Sequence, residues 1–442
     1  MQPLGPAAGS LASGSPEEPA AETPPPPAAD GALPHEGRNF WLLTLYQVIL
    51  RTGWIFKTES VIMPAVMDQL TDQPWMRGCL PLLNRLGQSI PPATLSNAIH
   101  HQPLKKRPFA ATTALMAAAF GGLTLLFVLP PPKHLAAWLF LACYAFFFAT
   151  LGVNNLVLNL IQGKLIRVRR RGRLLMISNL VGSATAIGAA FVILPWWLTE
   201  THVDAASVFG FSTALFVASS VIAWLLIEPA DVRREEDRRP WYVAFSDAGN
   251  ILRTDAAFRR FAFVAAMFGA SMVLFPHYQA IGHDALHLDR THLVTWLIVQ
   301  NIGTAVFSTI AGPLADRRGN RLVVQILMFG ILATPLAAVA LMHVGPRGAG
   351  WFHVVFGMVG LTPVVIKTLN NYTLEMCPPE DHPRYVATLN LCLASPIAAS
   401  PLVGWLIGKF SFEVAFLAVA AVVGLGWLVS FWLVEPRERM HD

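Results

Sequence analysis

Charged residues are scarce in this chain. Asp, Glu, Lys and Arg make up only 13% of its 442 residues, while hydrophobic residues make up 54%. A soluble domain carries about 25% charged residues, so a chain this apolar could not cover its own surface in water. The mean hydropathy of +0.50 agrees with that conclusion. The composition therefore excludes an ordinary water-soluble protein.

Cysteine is rare, and its few positions show no pattern. Cys79, Cys143, Cys377 and Cys392 have neither the spacing of metal ligands nor a paired arrangement, so we expect free thiols. The sequence also lacks a metal-ligand cluster, a glycine-rich phosphate loop and a nucleophile elbow. We therefore expect no catalytic residue, no metal and no cofactor.

Long apolar segments dominate the sequence. Each is long enough to cross a bilayer as a helix, which takes about 20 residues. Helices are expected because lipid offers no other partner for the backbone. The sequence therefore predicts an all-α polytopic membrane protein with twelve transmembrane helices in two six-helix bundles. The predicted spans are 40–64, 75–98, 109–130, 134–162, 174–198, 205–228, 259–282, 292–315, 321–343, 350–376, 384–408 and 412–434.

The chain divides around a charged segment between the sixth and seventh predicted spans. The start of the chain is rich in Pro and Ala and has too few large apolar residues to fold, which predicts a disordered tail. The predicted divisions are an N-terminal tail (1–38), an N-terminal bundle (39–228), a flexible or surface-lying cytoplasmic linker (229–258), a C-terminal bundle (259–435) and a cytoplasmic tail (436–442).

Polar residues recur at corresponding places in the two predicted bundles. The fourth span contains Asn154-Asn155 and the tenth contains Asn370-Asn371. Asn159 follows the first pair by the same interval as Glu375 follows the second. Related halves are common in transporters, so the pattern favours a duplicated six-helix unit.

Basic residues predict the orientation in the membrane. Cytoplasmic loops carry an excess of Lys and Arg, and most of the 32 basic residues fall on one side when both termini are cytoplasmic. A basic face beside anionic lipid accounts for the pI of about 9.2 without nucleic acid. We expect a protein of the plasma membrane, the inner membrane of a bacterial cell. The basic residues on the outer side are Arg77, Lys133, Arg290, Arg347 and Lys409.

The loop at 312–321, Gly-Pro-Leu-Ala-Asp-Arg-Arg-Gly-Asn-Arg, resembles the signature between spans eight and nine of the major facilitator superfamily. Segments 170–173 and 378–384 resemble its other inner turns, and the resemblance covers about residues 40–435. It implies that this loop latches the two halves together in one state of the protein. The alternative is that its charges only fix the orientation of the chain in the membrane. We expect Gly312 to allow close helix approach and Gly319 to allow a tight turn. The implied latch residues are Gly312, Asp316, Arg317, Gly319 and Arg321.

Two departures from that family's patterns stand out. The loop at 96–107, where the family usually has a stronger copy of the signature, keeps its basic end but lacks the Asp and both Gly. The fifth span lacks the G-P-x-x-G-G run of many antiporters in the family, which argues against drug–proton antiport.

The resemblance also implies that spans one, four, seven and ten face a central cavity. An ionisable group at bilayer depth is costly and usually functional. On a continuous helix Arg51 and Glu59 would lie roughly 80° apart, so both could face the cavity. For the charged residues, the alternative is a buried pair of Glu59 with Arg51 or Arg85 that only holds helices together. For the asparagines it is hydrogen bonding between helices, and for His277 it is simple solvation near the outer mouth. The cavity candidates are Arg51, Glu59, Arg85, Asn155, Asn159, His277, Lys367 and Asn371.

These residues predict a secondary active transporter that works by alternating access as a monomer. The deep cations outnumber Glu59, which suits a small polar or anionic solute. Glu59 is the candidate for proton coupling, because burial disfavours its charged form. The alternatives are a transporter-like sensor or scaffold without flux, a drug or metabolite efflux carrier, and a membrane-embedded enzyme. The last would need a buried cluster of catalytic groups.

Overall fold

The computed structural model describes residues 35–199, 202–230, 243–378 and 381–435. The described residues are mainly helical in the predicted spans, and one isolated bridge joins Leu198 to Val203. The predicted N-terminal tail up to residue 34, part of the linker and the C-terminal tail lie outside the described residues. The all-α prediction is confirmed.

Six helical spans make up the first half of the described chain. Span 1 comprises Glu36–Trp54, Ile55–Lys57 and Ile62–Leu70. Spans 2 to 6 are Pro74–His100, Lys106–Val128, Lys133–Leu165, Val168–Val192 with Leu194–Trp197, and Ala205–Trp224.

Six more spans follow a linker helix, Val243–Thr254. Span 7 comprises Ala256–Ser271, Met272–Leu274, Phe275–Ala280 and Ile281–Ala285. Spans 8 and 9 are His292–Arg318 and Asn320–His343. Span 10 comprises Pro346–Trp351, His353–Val359 and Thr362–Met376. Span 11 comprises His382–Ala394, Ser395–Ala399 and Ser400–Lys409, and span 12 is Phe412–Ser430.

Ten of these spans are long and apolar enough to cross a membrane, judged over the described residues. Spans 1 and 2 fall short of that measure. The first is interrupted after Lys57, and the second carries several polar residues and three prolines, at positions 81, 91 and 92. Polar residues in a spanning segment face the protein interior or a water-filled space. The two least apolar spans are therefore the first place to look for a functional site.

Helix packing repeats between the halves. Span 3 packs on span 6, span 1 on spans 5 and 6, and span 2 on span 4. Each pair has its counterpart six spans later: 9 with 12, 7 with 11 and 12, and 8 with 10. The halves meet through spans 2 and 11, 5 and 8, and 1 and 7. This arrangement is the one expected of a duplicated unit with the two copies facing each other.

A glutamate ties the end of each half to one of its own helices, and it is buried in the first half and half-buried in the second. Glu228, just after span 6, accepts hydrogen bonds from the backbone N–H groups of Lys105 (2.9 Å) and Lys106 (2.7 Å) at the start of span 3. Glu435, just after span 12, accepts one from the N–H of Arg321 (3.0 Å) at the start of span 9. In the sequence each glutamate precedes a proline. A carboxylate stabilises exposed N–H groups at a helix N-terminus.

We call the end of the protein that holds these glutamates the basic end, because the basic loops between spans 2 and 3, 4 and 5, and 8 and 9 lie there. The other end is called the opposite end. The linker helix lies at the basic end and packs on spans 7 and 11. Its Asp247 accepts a hydrogen bond from Arg384 at 3.1 Å. Part of the predicted linker is thus helical and held against the second half.

We predict that Glu228→Gln destabilises the protein by about 1–3 kcal/mol. The Glu228 side chain is fully buried and also pairs with Lys164 Nζ at 2.7 Å, so the amide would leave that cation poorly compensated. Thermal unfolding of the detergent-purified protein should show a lower apparent melting temperature. The matched control is Glu413→Gln, whose pair with His343 is exposed and should contribute little. Equal melting temperatures for the wild type and Glu228→Gln would contradict the prediction.

Candidate functional site

Span 1 is broken between Lys57 and Ile62, and Glu59 lies in the break. The backbone at Thr58 leaves the helical region with a ψ of 125°, and the Thr58 hydroxyl accepts a hydrogen bond from the N–H of Ile62 at 3.2 Å. That contact satisfies the first N–H group of the following helix. Our prediction of one continuous helix from Arg51 through Glu59 is therefore wrong. The angle that we expected between the two side chains around the helix axis does not apply.

Arg51 and Glu59 have different partners because of that break. Arg51 Nη1 donates to Asn179 Oδ1 in span 5 at 2.7 Å. Glu59 Oε2 accepts from Asn84 Nδ2 in span 2 at 2.8 Å, and Asn84 Oδ1 accepts from Gln88 Nε2. Glu59 Oε1 is buried without a hydrogen-bond partner. The break therefore directs Glu59 towards span 2.

Two cations lie beside Glu59, and both interact with it electrostatically. Lys57 Nζ lies 4.9 Å from the ring centroids of both Trp54 and Phe148, which are cation–π distances. Arg85 Nη2 contacts Met272 Sδ in span 7 at 2.8 Å, across the boundary between the halves. We call Lys57, Glu59, Asn84, Arg85 and Gln88 the central charge cluster. It contains one more positive charge than negative charge when all three ionisable groups are charged.

Two further buried polar atoms lie around this cluster without partners, Tyr144 Oη in span 4 and Trp54 Nε1 in span 1. Tyr144 is close enough to Glu59 to interact with its charge, and its ring centroid lies 4.7 Å from that of Phe148. Buried polar groups are nearly always hydrogen-bonded, so each exception calls for an explanation. Unpaired hydrogen-bond donors and acceptors around a charge cluster are suited to binding a polar solute.

A second group of charged residues joins the halves at the opposite end. Arg77 Nη1 lies 2.8 Å from Asp68 Oδ1 and 3.7 Å from Asp284 Oδ2. Gln279 Nε2 of span 7 donates to Asp68 Oδ2 at 2.6 Å, and Arg290 Nη1 donates to the carbonyl of Ala65 at 3.4 Å. We call Asp68, Arg77, Gln279, Asp284 and Arg290 the opposite-end network. It ties spans 1 and 2 to span 7 and to the loop that follows it.

Most residues of the opposite-end network are shielded from solvent, whereas Asp284 lies exposed at its edge. The Arg77 side chain is 6% exposed and that of Asp68 is 15% exposed. Burial lowers the pKa of Arg290, which lies in the loop between spans 7 and 8, while Asp68 and Asp284 act in the other direction. Nearby, spans 2 and 11 touch closely, because a Cβ at Gly78 would lie 2.5 Å from the Ser400 carbonyl oxygen. The opposite end of the protein is therefore closed.

His277 lies in this closed region and is fully buried. Neither ring nitrogen has a hydrogen-bond partner, and Arg77 is close enough to act on its charge. The alternative that His277 is simply solvated at the mouth of the protein is therefore wrong. A neutral imidazole in this position avoids placing another cation beside Arg77.

The remaining cavity candidates lie nearer the basic end, in spans 4 and 10. Asn155 is half-buried, whereas Asn159, Lys367 and Asn371 are exposed. Within the described residues, no hydrogen bond links them to the central charge cluster, and their roles stay predictions. The preceding Asn154 is fully buried and serves a structural role. It accepts from Tyr46 Oη at 2.9 Å and donates to Thr112 at 3.0 Å and Thr113 at 2.9 Å.

The implied latch residues give a mixed outcome. Gly319 has a φ of +83°, a conformation that favours glycine and turns the chain sharply between spans 8 and 9. A Cβ at Gly312 would meet open space, so our expectation of a close helix approach there is wrong. Arg321 Nη2 donates to the carbonyl of Phe431 at 2.9 Å, within its own half. Arg317 is exposed, and the side chain of Asp316 lies outside the described part. The latch stays a prediction.

Comparisons with known proteins agree with this architecture. Residues 283–442 match the family model of the Major Facilitator Superfamily. The chain is 25% identical over 164 residues to the class C tetracycline resistance protein of Escherichia coli. That alignment covers 35% of this chain and only 39% of the relative's length.

Solved structures share the fold over nearly the whole chain. A mutant of the nucleoside transporter NupG has a TM-score of 0.68 at 12% identity, covering 90% of this chain and 99% of its own. A D-xylose-proton symporter has a TM-score of 0.65 at 12% identity, covering 90% and 98%. The twelve helical spans in two related halves are the architecture of a transporter fold in an integral membrane protein. The C-terminal half of this chain is therefore similar to the Major Facilitator Superfamily, and the whole chain shares its fold with transporters of known structure.

We predict that Asp68→Asn loosens the opposite end, because the Asp68 carboxylate both pairs with Arg77 and accepts a hydrogen bond from Gln279 of the second half. The reporter is a His277→Cys variant in a background where the four native cysteines are replaced by serine. A buried thiol reacts slowly with a polar maleimide, and Asp68→Asn should raise its rate about tenfold, equivalent to roughly 1.4 kcal/mol of closure energy.

The matched control for this experiment is Asp72→Asn, an exposed carboxylate at the same end. It should leave the labelling rate unchanged. Equal rates for Asp68→Asn and the control would show that the network does not hold the end closed.

Proposed function

We propose that this protein is a secondary active transporter that moves a small polar solute across the plasma membrane by alternating access. The observation that carries the proposal is the position of the central charge cluster. Its Arg85 crosses from the first half to Met272 in the second, below an end that is closed by the opposite-end network. Alternating access requires a site between two halves that can be sealed at one end at a time.

The orientation follows from the basic loops. Placing the basic end in the cytoplasm satisfies the positive-inside rule and puts both termini in the cytoplasm. In that orientation the opposite-end network would close the outer side. Each half has its own internal ties at Glu228 and Glu435, so one chain contains all the parts that the cycle needs, and we propose that it works as a monomer.

We propose that Glu59 carries the coupling proton. It lies at the break in span 1, with one carboxylate oxygen bound by Asn84 and the other buried without a partner. Protonation of the free oxygen would remove a buried negative charge. Release of that proton would restore the attraction of the carboxylate to Lys57 and Arg85. The fold is shared with a proton symporter of known structure.

A second candidate is an efflux carrier for a drug or metabolite, which the likeness to a tetracycline resistance protein supports. The two candidates differ in direction rather than in mechanism. The absence of the G-P-x-x-G-G run in span 5 argues against a drug–proton antiporter.

Flux into vesicles tests the proposed function. The full chain would be reconstituted in proteoliposomes and supplied with labelled uridine, xylose, succinate, phosphate and tetracycline, with and without an imposed pH gradient. Accumulation of one solute above equilibrium in response to the gradient would support a proton-coupled transporter. Binding of a solute without accumulation would indicate a sensor. Transport of the solute in the direction opposite to the imposed proton gradient would favour efflux.

We predict that Glu59→Gln abolishes accumulation driven by a pH gradient but retains exchange of solute across the membrane. The amide mimics the protonated carboxyl and cannot release a proton, so the carrier can still reorient. Uptake and counterflow in the same vesicle preparation distinguish the two activities. Asp289→Asn, an exposed change in the loop between spans 7 and 8, serves as the control. Undiminished accumulation by Glu59→Gln would remove Glu59 from the mechanism.

A further inference from the structure

We propose that Arg85 binds an oxyanion group of the solute, a carboxylate or a phosphate, at the boundary between the two halves. This inference rests on the proposed function and names the chemical class of the ligand. Its starting point is a cation in the middle of the protein that lacks a strong acceptor.

The guanidinium of Arg85 is poorly satisfied. An arginine has five N–H donors in a planar fork that matches a carboxylate or phosphate. Among the described residues, the only hydrogen-bond acceptor of Arg85 is the thioether sulfur of Met272 at 2.8 Å. Thioether sulfur is a weak acceptor. The side chain is partly exposed, so a solute can reach the remaining N–H groups.

Glu59 does not take the place of that missing acceptor. One of its oxygens accepts from Asn84, and the other has no partner, so no hydrogen bond joins Glu59 to Arg85. Lys57 is a second cation that interacts with the carboxylate. One negative charge thus faces two positive charges, and an oxyanion would balance the cluster. Charge-assisted bidentate bonds of this kind are among the strongest hydrogen bonds in proteins.

The position of Arg85 makes such a ligand relevant to the transport cycle. Arg85 is in span 2, whereas Met272 begins a short 3₁₀ segment where the helix of span 7 changes its winding. An oxyanion that binds the guanidinium would compete with the sulfur for it. Binding would then replace a contact between the halves with a contact to the solute.

The test is direct binding to the purified full chain. Isothermal titration with succinate and with inorganic phosphate, at an ionic strength fixed with chloride, separates a carboxylate ligand from a phosphate ligand. We expect one of the two to bind the wild type. Arg85→Gln should weaken that binding about tenfold or more, and Arg85→Lys should give an intermediate loss because lysine keeps the charge without the fork.

Two further variants sharpen the result. Glu59→Gln should tighten oxyanion binding, because it removes the neighbouring negative charge, whereas a purely structural Glu59–Arg85 pair predicts a loss of stability and no gain in affinity. Arg253→Gln, an exposed change on the linker helix, should bind as the wild type does. Arg85→Lys keeps the test valid if Arg85→Gln fails to fold.

The oxyanion proposal is overturned if neither succinate nor phosphate binds the wild type, or if Arg85→Gln binds either one as tightly. Parallel uptake assays separate this failure from failure of the proposed function. Transport of uridine or xylose that is unchanged in Arg85→Gln would leave the transporter standing without an oxyanion site. Binding that depends on Arg85, with no flux of any solute, would establish the site and refute transport.

Discussion

An ionised side chain far from water needs a compensating partner, and this requirement shapes the boundary between the two halves. The protein meets it in three ways. Arg77 and Asp68 neutralise each other within the opposite-end network. Lys57 lies over the aromatic rings of Trp54 and Phe148. Arg85 has a thioether where a stronger acceptor would be expected. Asp68 also binds Gln279 of the second half and so helps to close one end of the protein. The arrangements at Lys57 and Arg85 leave positive charges at the centre that a charged or polar solute could bind.

The duplicated architecture explains why the centre and the two ends behave differently. Each half is a tightly tied unit, since the glutamate after its last span binds the start of its own third helix. Between the halves, spans 2 and 11 pack closely at Gly78, and several polar contacts concentrate in the opposite-end network. Stable halves joined by polar contacts suit rigid-body rocking, because ion pairs can form and break without disturbing an apolar core.

The sequence was informative where the signal is local. Continuous apolar length predicted the spans, because it depends on residues adjacent along the chain, and the orientation inferred from the basic loops stays a prediction. The repeated Glu-Pro after spans 6 and 12 was also readable as a signal of duplication and was missed. The break after Lys57 was not readable, because the segment contains neither proline nor glycine at that point. The contact of Asp68 with Gln279 joins residues far apart in sequence and depends on packing of the two halves.

The most direct test of the account is a pair of distance measurements across the two halves in lipid nanodiscs. Spin labels at Asp72 and Asp289 report on the opposite end, and labels at Arg107 and Arg318 report on the basic end; all four positions are exposed. Double electron–electron resonance at neutral and acidic pH should give two populations for each pair. The account predicts that the distance at one end lengthens as the distance at the other shortens. A single unchanging distance at both ends would contradict alternating access.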